Sequence, residues 1–471
     1  MPTNIVFIMT DQQRYDMLGC NGSTIFKTPH LDRLASGGMR FTSGYTTTPV
    51  CTPARGALFT GMWPSSCGYV SNHDNAYRHV EFLGSIFSRA GFAAGYTGKW
   101  HLSGMEGGYY EMGRADGGFL DEYWYDGRRF INDVGKSGFE KWRKGKDLQD
   151  ADCWGTRVAD RGVAFIERFH KQPFFLAVSF DEPHGPSSAP ERYYALYRGT
   201  QRERAPNLSD MLENKPFIHQ QLEKYYHGTG RVPAGAMPNN DPRYYGCNTF
   251  VDGQIGRVLD AVDRHCPENT IVVYTTDHGA HQGAHGLLAK GPTMYEETTH
   301  VPFIVRAPGV TRPGSVSNAL VSHIDIAPTI SELAGVPTHP QFQGQSLVPV
   351  LRNPTTGVQD AVFMEYARFG LEHDNHFGFV PIRCIRTERH KLVLNQTDMD
   401  ELYDLQTDPW EMENRIDDPA LSELRLTLHD RLLDWMNRRI DPLRGEMWYS
   451  RRWRPDHHID PWAGEHNLKE N

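Results

Sequence analysis

Five short apolar runs constrain this chain more than any other feature, because each is closed by a polar or glycine-containing turn and followed by a helical pattern. They are NIVFIM (4–9), FAAGYTG (92–98), FFLAVSF (174–180), TIVVYTT (270–276) and VPFIVRA (301–307). Runs of this length, rich in β-branched and aromatic residues, read as buried strands. Between them HLDRLASGG, VEFLGSIFSRAG, RVADRGVAFIERFH and TFVDGQIGRVLDAVDRH carry helical periodicity, several ending in Gly or His as helix C-termini do. Strands alternating with helices imply a mostly parallel sheet covered on both faces, so the expected fold is a three-layer α/β sandwich.

Beyond LVPVLRNPTTG the pattern changes. AVFMEYARF, IRCIRTERHKLVLN and ELYDLQTDP alternate in the manner of an antiparallel sheet, and the amphipathic ELRLTLHDRLLDWMNRR follows. This predicts a catalytic α/β domain over residues 1–354 and a smaller C-terminal α+β subdomain over 355–471, with a terminal helix and a tail from Trp448. The stretch 201–242 is polar and punctuated by Pro and Gly, and reads as an insertion of loops and short helices over the sheet edge.

Composition excludes several functions. A formal net charge of -9, with Lys and Arg scattered rather than massed, advertises no surface for nucleic acid or anionic lipid. An anionic substrate must then be met by local positive groups. The N-terminal apolar run is too short for a signal sequence or a membrane span, which gives the expectation of a cytoplasmic protein with no membrane partner. The seven cysteines are odd in number and contain no C-x-x-C pair, which argues against a disulfide framework or zinc cluster.

In open α/β sheets ligands bind beyond the carboxyl ends of the strands. Four polar clusters follow apolar runs directly: Asp11-Gln12, Lys99-Trp100-His101, Asp181-Glu182-Pro183-His184 and Asp277-His278. Singly, each reads as a cap or turn; four at strand ends point to one site. Asp11, Gln12, Asp277 and His278 offer two carboxylates, an amide oxygen and an imidazole, a set suited to calcium, magnesium or manganese rather than tetrahedral zinc.

The segment Cys51-Thr52-Pro53-Ala54-Arg55, continuing GALFTG, resembles the C-x-P-x-R signature of the formylglycine-dependent sulfatases of the alkaline phosphatase superfamily. GKWHL, DHG and ELYDLQTDPWEMEN extend the likeness over nearly the whole chain, and DEPHGP and HDNHFGFVPIRC place it nearest bacterial sulfatases of the enterobacterial kind. The resemblance implies that Cys51 is oxidised to formylglycine by a formylglycine-generating enzyme. It further implies that Asp11, Gln12, Asp277, His278 and the modified Cys51 hold one divalent cation, calcium by the family's habit, with magnesium or manganese as alternatives. Gln12 stands where many members have Asp, and His278 where many have Asn.

These residues suit sulfate transfer. A hydroxyl of the formylglycine diol attacks sulfur, Lys99, Lys290 and Arg55 match the charge on the transferring group, and His184, assisted by Lys290, protonates the departing alcohol. His101 then takes the proton of the second hydroxyl, so sulfate leaves without water attacking sulfur. Asn72 is a candidate sulfate contact, and His373 and His376 are candidate substrate contacts. The expected substrate is a small sulfate ester, with a sulfated sugar preferred. Phosphonate monoester or phosphodiester hydrolysis, and a glycan-binding protein without catalysis, are the competing functions. Assembly of identical copies is left open by the sequence.

Overall fold

The side chains of the first strand alternate between two apolar layers, Ile5, Phe7 and Met9 on one side and Val6 and Ile8 on the other, and all of them are buried. That is the packing of a strand covered on both faces. The computed structural model describes residues 3–200, 205–227, 241–370, 376 and 378–454.

The first nine strands are β1 (Asn4–Asp11), β2 (Met39–Phe41), β3 (Gly44–Tyr45), β4 (Ala93–Gly98), β5 (Trp124–Tyr125), β6 (Phe174–Pro183), β7 (Thr270–Thr276), β8 (Phe303–Arg306) and β9 (Ser315–Ser317). Eight of them form one sheet in the order β5-β4-β6-β1-β7-β8-β2-β9. Neighbours from β5 to β7 are all parallel, and β8 runs antiparallel to both β7 and β2. The helices Pro29–Gly37, Trp154–Phe169 and Pro242–His265 cover one face, while Cys51–Thr60, Leu83–Arg89 and Ile326–Leu333 cover the other. The three-layer sandwich with a mostly parallel sheet is therefore present.

Strands β10 (Val321–Ser322), β11 (Ala361–Arg368), β12 (Phe379–Thr387), β13 (His390–Asn395) and β14 (Glu401–Asp404) complete the set. β11 to β14 form an antiparallel sheet in sequence order. Its two faces again separate by alternation. Val362, Met364, Ile382, Cys384 and Val393 pack toward the large domain, and Leu392, Leu394 and Leu402 pack against the helix Ser422–Arg438. Arg439 ties this part to the rest through Ser65 at 2.6 Å, and it also meets Glu365 of β11 at 2.8 Å, which accepts from the same serine.

The insertion holds a helix at Phe217–His227, with a short 3-10 turn at Pro206–Ser209 before it. Between β4 and the helical stretch Gly127–Lys144, which is broken at Gly135, lie only short helical turns at Gly104–Gly107 and Asp121–Tyr123 and the two-residue β5. No helix among the described residues is long and apolar enough to cross a membrane. All seven cysteines are unpaired.

Candidate active site

The carboxyl ends of β4, β6, β1 and β7 are adjacent in the sheet, so Lys99, Asp181, Asp11 and Asp277 converge on one point. Backbone geometry at this edge is tight. Gly98 has φ +109°, and a Cβ there would lie 1.7 Å from the Ser179 carbonyl oxygen, so only glycine lets β4 deliver Lys99 against β6. Gln12 (φ 63°) and His101 (φ 58°) take left-handed conformations that side chains usually avoid, a strain found where surrounding structure over-determines a functional position.

The helix Cys51–Thr60 runs into this point from one side, and all ten of its residues are buried. Cys51 sits at its first turn. Asn72 Oδ1 accepts the Thr52 N–H at 3.1 Å, satisfying one of the helix's orphan donors. The Cys51 sulfur lies 3.3 Å from His278 Nε2 and 3.9 Å from Asp11 Oδ1. Burial, followed by the Asp11 charge, pushes the thiol up to about 11. An unmodified Cys51 is thus a neutral thiol at pH 7 and a poor nucleophile.

Arg55, one turn further along the helix and fully buried, clamps the carboxylates. Its Nε meets Asp277 Oδ2 at 2.9 Å and its Nη2 meets Asp11 Oδ2 at 3.1 Å, while Nη1 donates to Lys99 O at 2.7 Å and Ser179 Oγ at 2.8 Å. Lys99 Nζ bridges Asp11 Oδ2 at 2.7 Å and Asp181 Oδ1 at 3.2 Å. Lys290 Nζ donates to Gln12 Oε1 at 2.9 Å and lies 4.0 Å from Asp11 Oδ1. Burial opposes ionisation of Asp11, but Lys99, with Lys290 and Arg55 adding to it, holds that carboxyl well below the usual range. Asp277 is pushed up to about 7 by burial and by Asp11.

Asp11, Cys51, Asp277 and His278 place their donor atoms within 4.8 Å of one another, all buried. His278 Nδ1 lies 2.8 Å from the Gly279 carbonyl, an acceptor only, so the proton sits on Nδ1 and Nε2 faces the cluster as a lone-pair donor. Gly279 itself is confined, since a Cβ would lie 2.0 Å from Glu297 O. Two carboxyls crowded this closely, one of them with raised affinity for protons, and an imidazole presenting its lone pair fit a divalent cation. Gln12 Oε1 borders the same cluster but is engaged by Lys290.

The sulfatase family model matches residues 3–336, and that of the N-sulphoglucosamine sulphohydrolase C-terminal region matches 283–438. The chain belongs to the sulfatase family. It is 38% identical, over 96% of its length and 91% of the relative's, to the uncharacterized sulfatase YidJ of Escherichia coli K12. It is 26% identical to the N-acetylglucosamine-6-O-sulfatase of Bacteroides thetaiotaomicron, over 87% of this chain and 82% of the relative. Its fold is that of a protein solved in complex with its substrate D-glucosamine-2-N,6-O-disulfate (TM-score 0.77, 24% identity, 94% of this chain and 99% of that one). The phosphonate monoester hydrolase of Agrobacterium radiobacter shares it equally (TM-score 0.79, 23% identity, 93% and 96%). This sulfatase is accordingly a sulfuric ester hydrolase with a divalent-metal site.

Around the sulfatase cluster the remaining candidates fall into distinct places. His101 is buried with Nδ1 unpartnered, and its ring is held neutral by burial and then by Lys99 and Arg55. His184, half-buried, is likewise kept neutral by burial, Lys290 and Lys99. The Asn72 side-chain oxygen caps the Cys51 helix, and its amide nitrogen is the group that a sulfate contact would use. His376 is exposed, its ring 4.7 Å from that of Tyr225, and His373 lies outside the described residues. His281 and His285 are both buried. Their partners are Thr293 at 2.9 Å and Asp210 at 2.7 Å.

Sequence reasoning missed Tyr109. Its ring lies 4.0 Å from Lys99 Nζ and edge-on to His101, and its hydroxyl donates to Asp181 and lies 3.1 Å from His184 Nδ1. The only signal was a pair of tyrosines in an otherwise irregular stretch. Tyr226 was also unread. Its hydroxyl donates to the Lys290 carbonyl at 3.0 Å, so the insertion helix supports the loop that delivers Lys290.

Proposed function

We propose that this sulfatase hydrolyses the sulfate ester of a small sugar, using a formylglycine made from Cys51 and a calcium ion. The observation that carries the reading is the position of Cys51 at the start of a wholly buried helix, its sulfur 3.3 Å from His278 and 3.9 Å from Asp11. A thiol raised to about 11 could not itself attack at neutral pH, which supports its conversion to an oxygen nucleophile. Asp11, Asp277 and His278, with Gln12 at the border, would hold the cation, and when bound it would favour the ionised form of a hydroxyl at position 51.

The rest of the work falls to side chains of this chain. Lys99, Lys290 and Arg55 bring three cationic groups to the Asp11 carboxylate, and Lys99 and Lys290 are placed to meet a sulfuryl group entering beside it. His101, neutral and with an open ring nitrogen, accepts the proton whose removal releases sulfate. His184 supplies a proton to the departing sugar oxygen. An arriving sulfate anion offsets the Lys290 and Lys99 charges that otherwise keep His184 neutral.

A sugar substrate is supported by the relative named as an N-acetylglucosamine-6-O-sulfatase and the neighbour solved with a glucosamine disulfate. A second reading, phosphonate monoester or phosphodiester hydrolysis, is favoured by Gln12 and His278, the residues by which this site departs from the commoner sulfatase pattern and which resemble those of the superfamily's phosphonate monoester and phosphodiester hydrolases. The deciding experiment is mass spectrometry of the Cys51 peptide after co-expression with a formylglycine-generating enzyme, followed by rates on matched sulfate and phosphodiester substrates. A loss of about 18 Da at Cys51 is expected, that of a thiol oxidised to an aldehyde. An unmodified thiol, or faster turnover of the phosphodiester, overturns the proposal.

A further inference from the structure

Tyr109 sits between the sulfate-binding and leaving-group sides of the site, and its single hydroxyl proton has only one place to go. Asp181 Oδ1, 3.2 Å from Lys99 Nζ, is a carboxylate oxygen that can only accept, so the Tyr109 O–H donates to it. The other neighbour of the hydroxyl is His184 Nδ1 at 3.1 Å. With its proton spent on Asp181, the tyrosine oxygen can only accept from that nitrogen. The Gly185 carbonyl, 2.8 Å from the same Nδ1, can also only accept. Both partners of Nδ1 therefore require a proton there. The backbone closes the same loop, since the His184 N–H donates to Asp181 O at 3.0 Å.

We infer that Tyr109 is a positioning residue for leaving-group protonation: the chain Lys99–Asp181–Tyr109 fixes His184 with its proton on Nδ1, so that Nε2 is the atom that gives a proton to the departing oxygen. The inference rests on His184 being the general acid. With the sulfate ester bound, Nε2 first takes a proton from solvent, making the imidazolium; then, as the hydroxyl oxygen at position 51 bonds to sulfur and the ester S–O bond breaks, the electron pair stays on the leaving oxygen, the Nε2–H bond breaks, and its proton goes to that oxygen. The ring returns to its neutral form with Nδ1–H still shared between Tyr109 Oη and Gly185 O. The tyrosine never gives up its own proton. Its contribution is to exclude the other tautomer, in which Nδ1 would be bare and would face two acceptors, and to hold the ring plane.

The geometry also separates two roles within Tyr109. The aromatic ring, 4.0 Å from Lys99 Nζ and edge-on to His101 at 5.2 Å between centroids, packs the site, and the hydroxyl orients His184. Tyr109→Phe keeps the first and removes the second. Acid assistance matters in proportion to how poor the leaving group is, so a loss of orientation must show as a leaving-group dependence and not as a uniform loss.

The experiment measures kcat and KM for wild type, Tyr109→Phe and His184→Gln, all carrying formylglycine, on an aryl sulfate with an acidic phenol and on an alkyl or sugar sulfate. For His184→Gln, kcat is expected to fall about 100-fold more on the alkyl ester than on the aryl ester, the scale of a lost general acid. For Tyr109→Phe the same ratio should move in the same direction by about tenfold, the scale of one hydrogen bond to a group that becomes charged, with KM little changed. If His184→Gln falls equally on both esters, His184 is not the acid and the function as proposed fails at that point. If His184→Gln shows the selective loss while Tyr109→Phe falls equally on both, or not at all, the positioning role of Tyr109 is overturned and the acid assignment stands.

Discussion

Replacing Arg55 with methionine removes a charge while keeping side-chain length, and the structure says what is left behind. Asp277 Oδ2 loses its partner at 2.9 Å and Asp11 Oδ2 loses one of two cations, while the Lys99 carbonyl and Ser179 Oγ each lose a donor. All of these groups are buried, so water does not take the vacated places. Breaking a buried ion pair from one side costs about 3–5 kcal/mol. A chain of this size unfolds with an entropy near 1 kcal/mol/K at about 2.1 cal/mol/K per residue, so the melting temperature should drop by about 3–5 °C. The assay is calorimetry of both proteins made without the modifying enzyme, so that each carries the Cys51 thiol, in chelator at one scan rate. The deficit should shrink as pH falls from 8 toward 5, because Asp277 titrates near 7 and its protonated form no longer needs the guanidinium. Saturating calcium should recover more stability in the variant than in wild type, since the cation takes over the charge that Arg55 supplied. Equal melting temperatures in chelator would refute the argument, because they would mean that the clamp on Asp11 and Asp277 contributes nothing.

Lys290→Met should lower kcat by about 100-fold, as loss of a group aimed at the transferring charge does, with a smaller drop in melting temperature than Arg55→Met because its hydrogen-bond partner Gln12 is neutral and Asp11, 4.0 Å away, keeps Lys99 and Arg55; steady-state kinetics beside calorimetry check both. Glu182 is pushed up to about 8 by burial and then by Asp181, one oxygen accepting the Gly155 N–H at 2.9 Å and the other unpartnered. It is protonated when folded and ionised when unfolded between about pH 4.5 and 8, so its contribution is complete below that window and is lost as pH rises through it. Glu182→Gln should remove this slope, and urea melts across the window that keep the wild-type slope would exclude the assignment.

The sequence made the centre of the sheet legible and its edges not. β1, β6 and β7 are seven to ten residues long and wholly buried, so their apolar runs are continuous and announce themselves. β2, β5 and β9 have two or three residues each, too few for any period, and are strands only because a neighbour pairs with them. VPFIVRA was readable as a strand, but its antiparallel direction depends on how the chain returns from β7 and left no local mark. The same division holds at the site. Asp11, Lys99, Asp181 and Asp277 were visible because a strand end is a readable address. Tyr109 reaches the site from an irregular segment, where position is set by contacts distant in sequence and no spacing predicts it. Asn72 is a candidate sulfate contact by sequence, but that its oxygen meets the terminus of the Cys51 helix is a fact of three-dimensional packing.

Lys99 joins two parts of the chemistry that the sequence presents as separate motifs. Through Asp11 it touches the candidate metal cluster, and through Asp181 and Tyr109 it is linked to His184. Neither carboxylate would ionise readily alone at this depth. Burial and Asp11 raise Asp181, with Lys99 opposing, so the lysine charge is shared between two acceptors that each need it. A change at one end must then be felt at the other. Neutralising Asp11 would leave Lys99 drawn toward Asp181, strengthening that carboxylate's hold on its lysine at the expense of the Tyr109 hydroxyl. Removing the hydroxyl would leave Asp181 leaning harder on Lys99, drawing the lysine away from Asp11. Substitutions at the two ends should accordingly be non-additive, as expected for groups in one hydrogen-bonded network. On the proposed mechanism, binding of the sulfuryl group and protonation of the leaving oxygen would be parts of a single electrostatic unit, with the lysine of GKWH as its pivot.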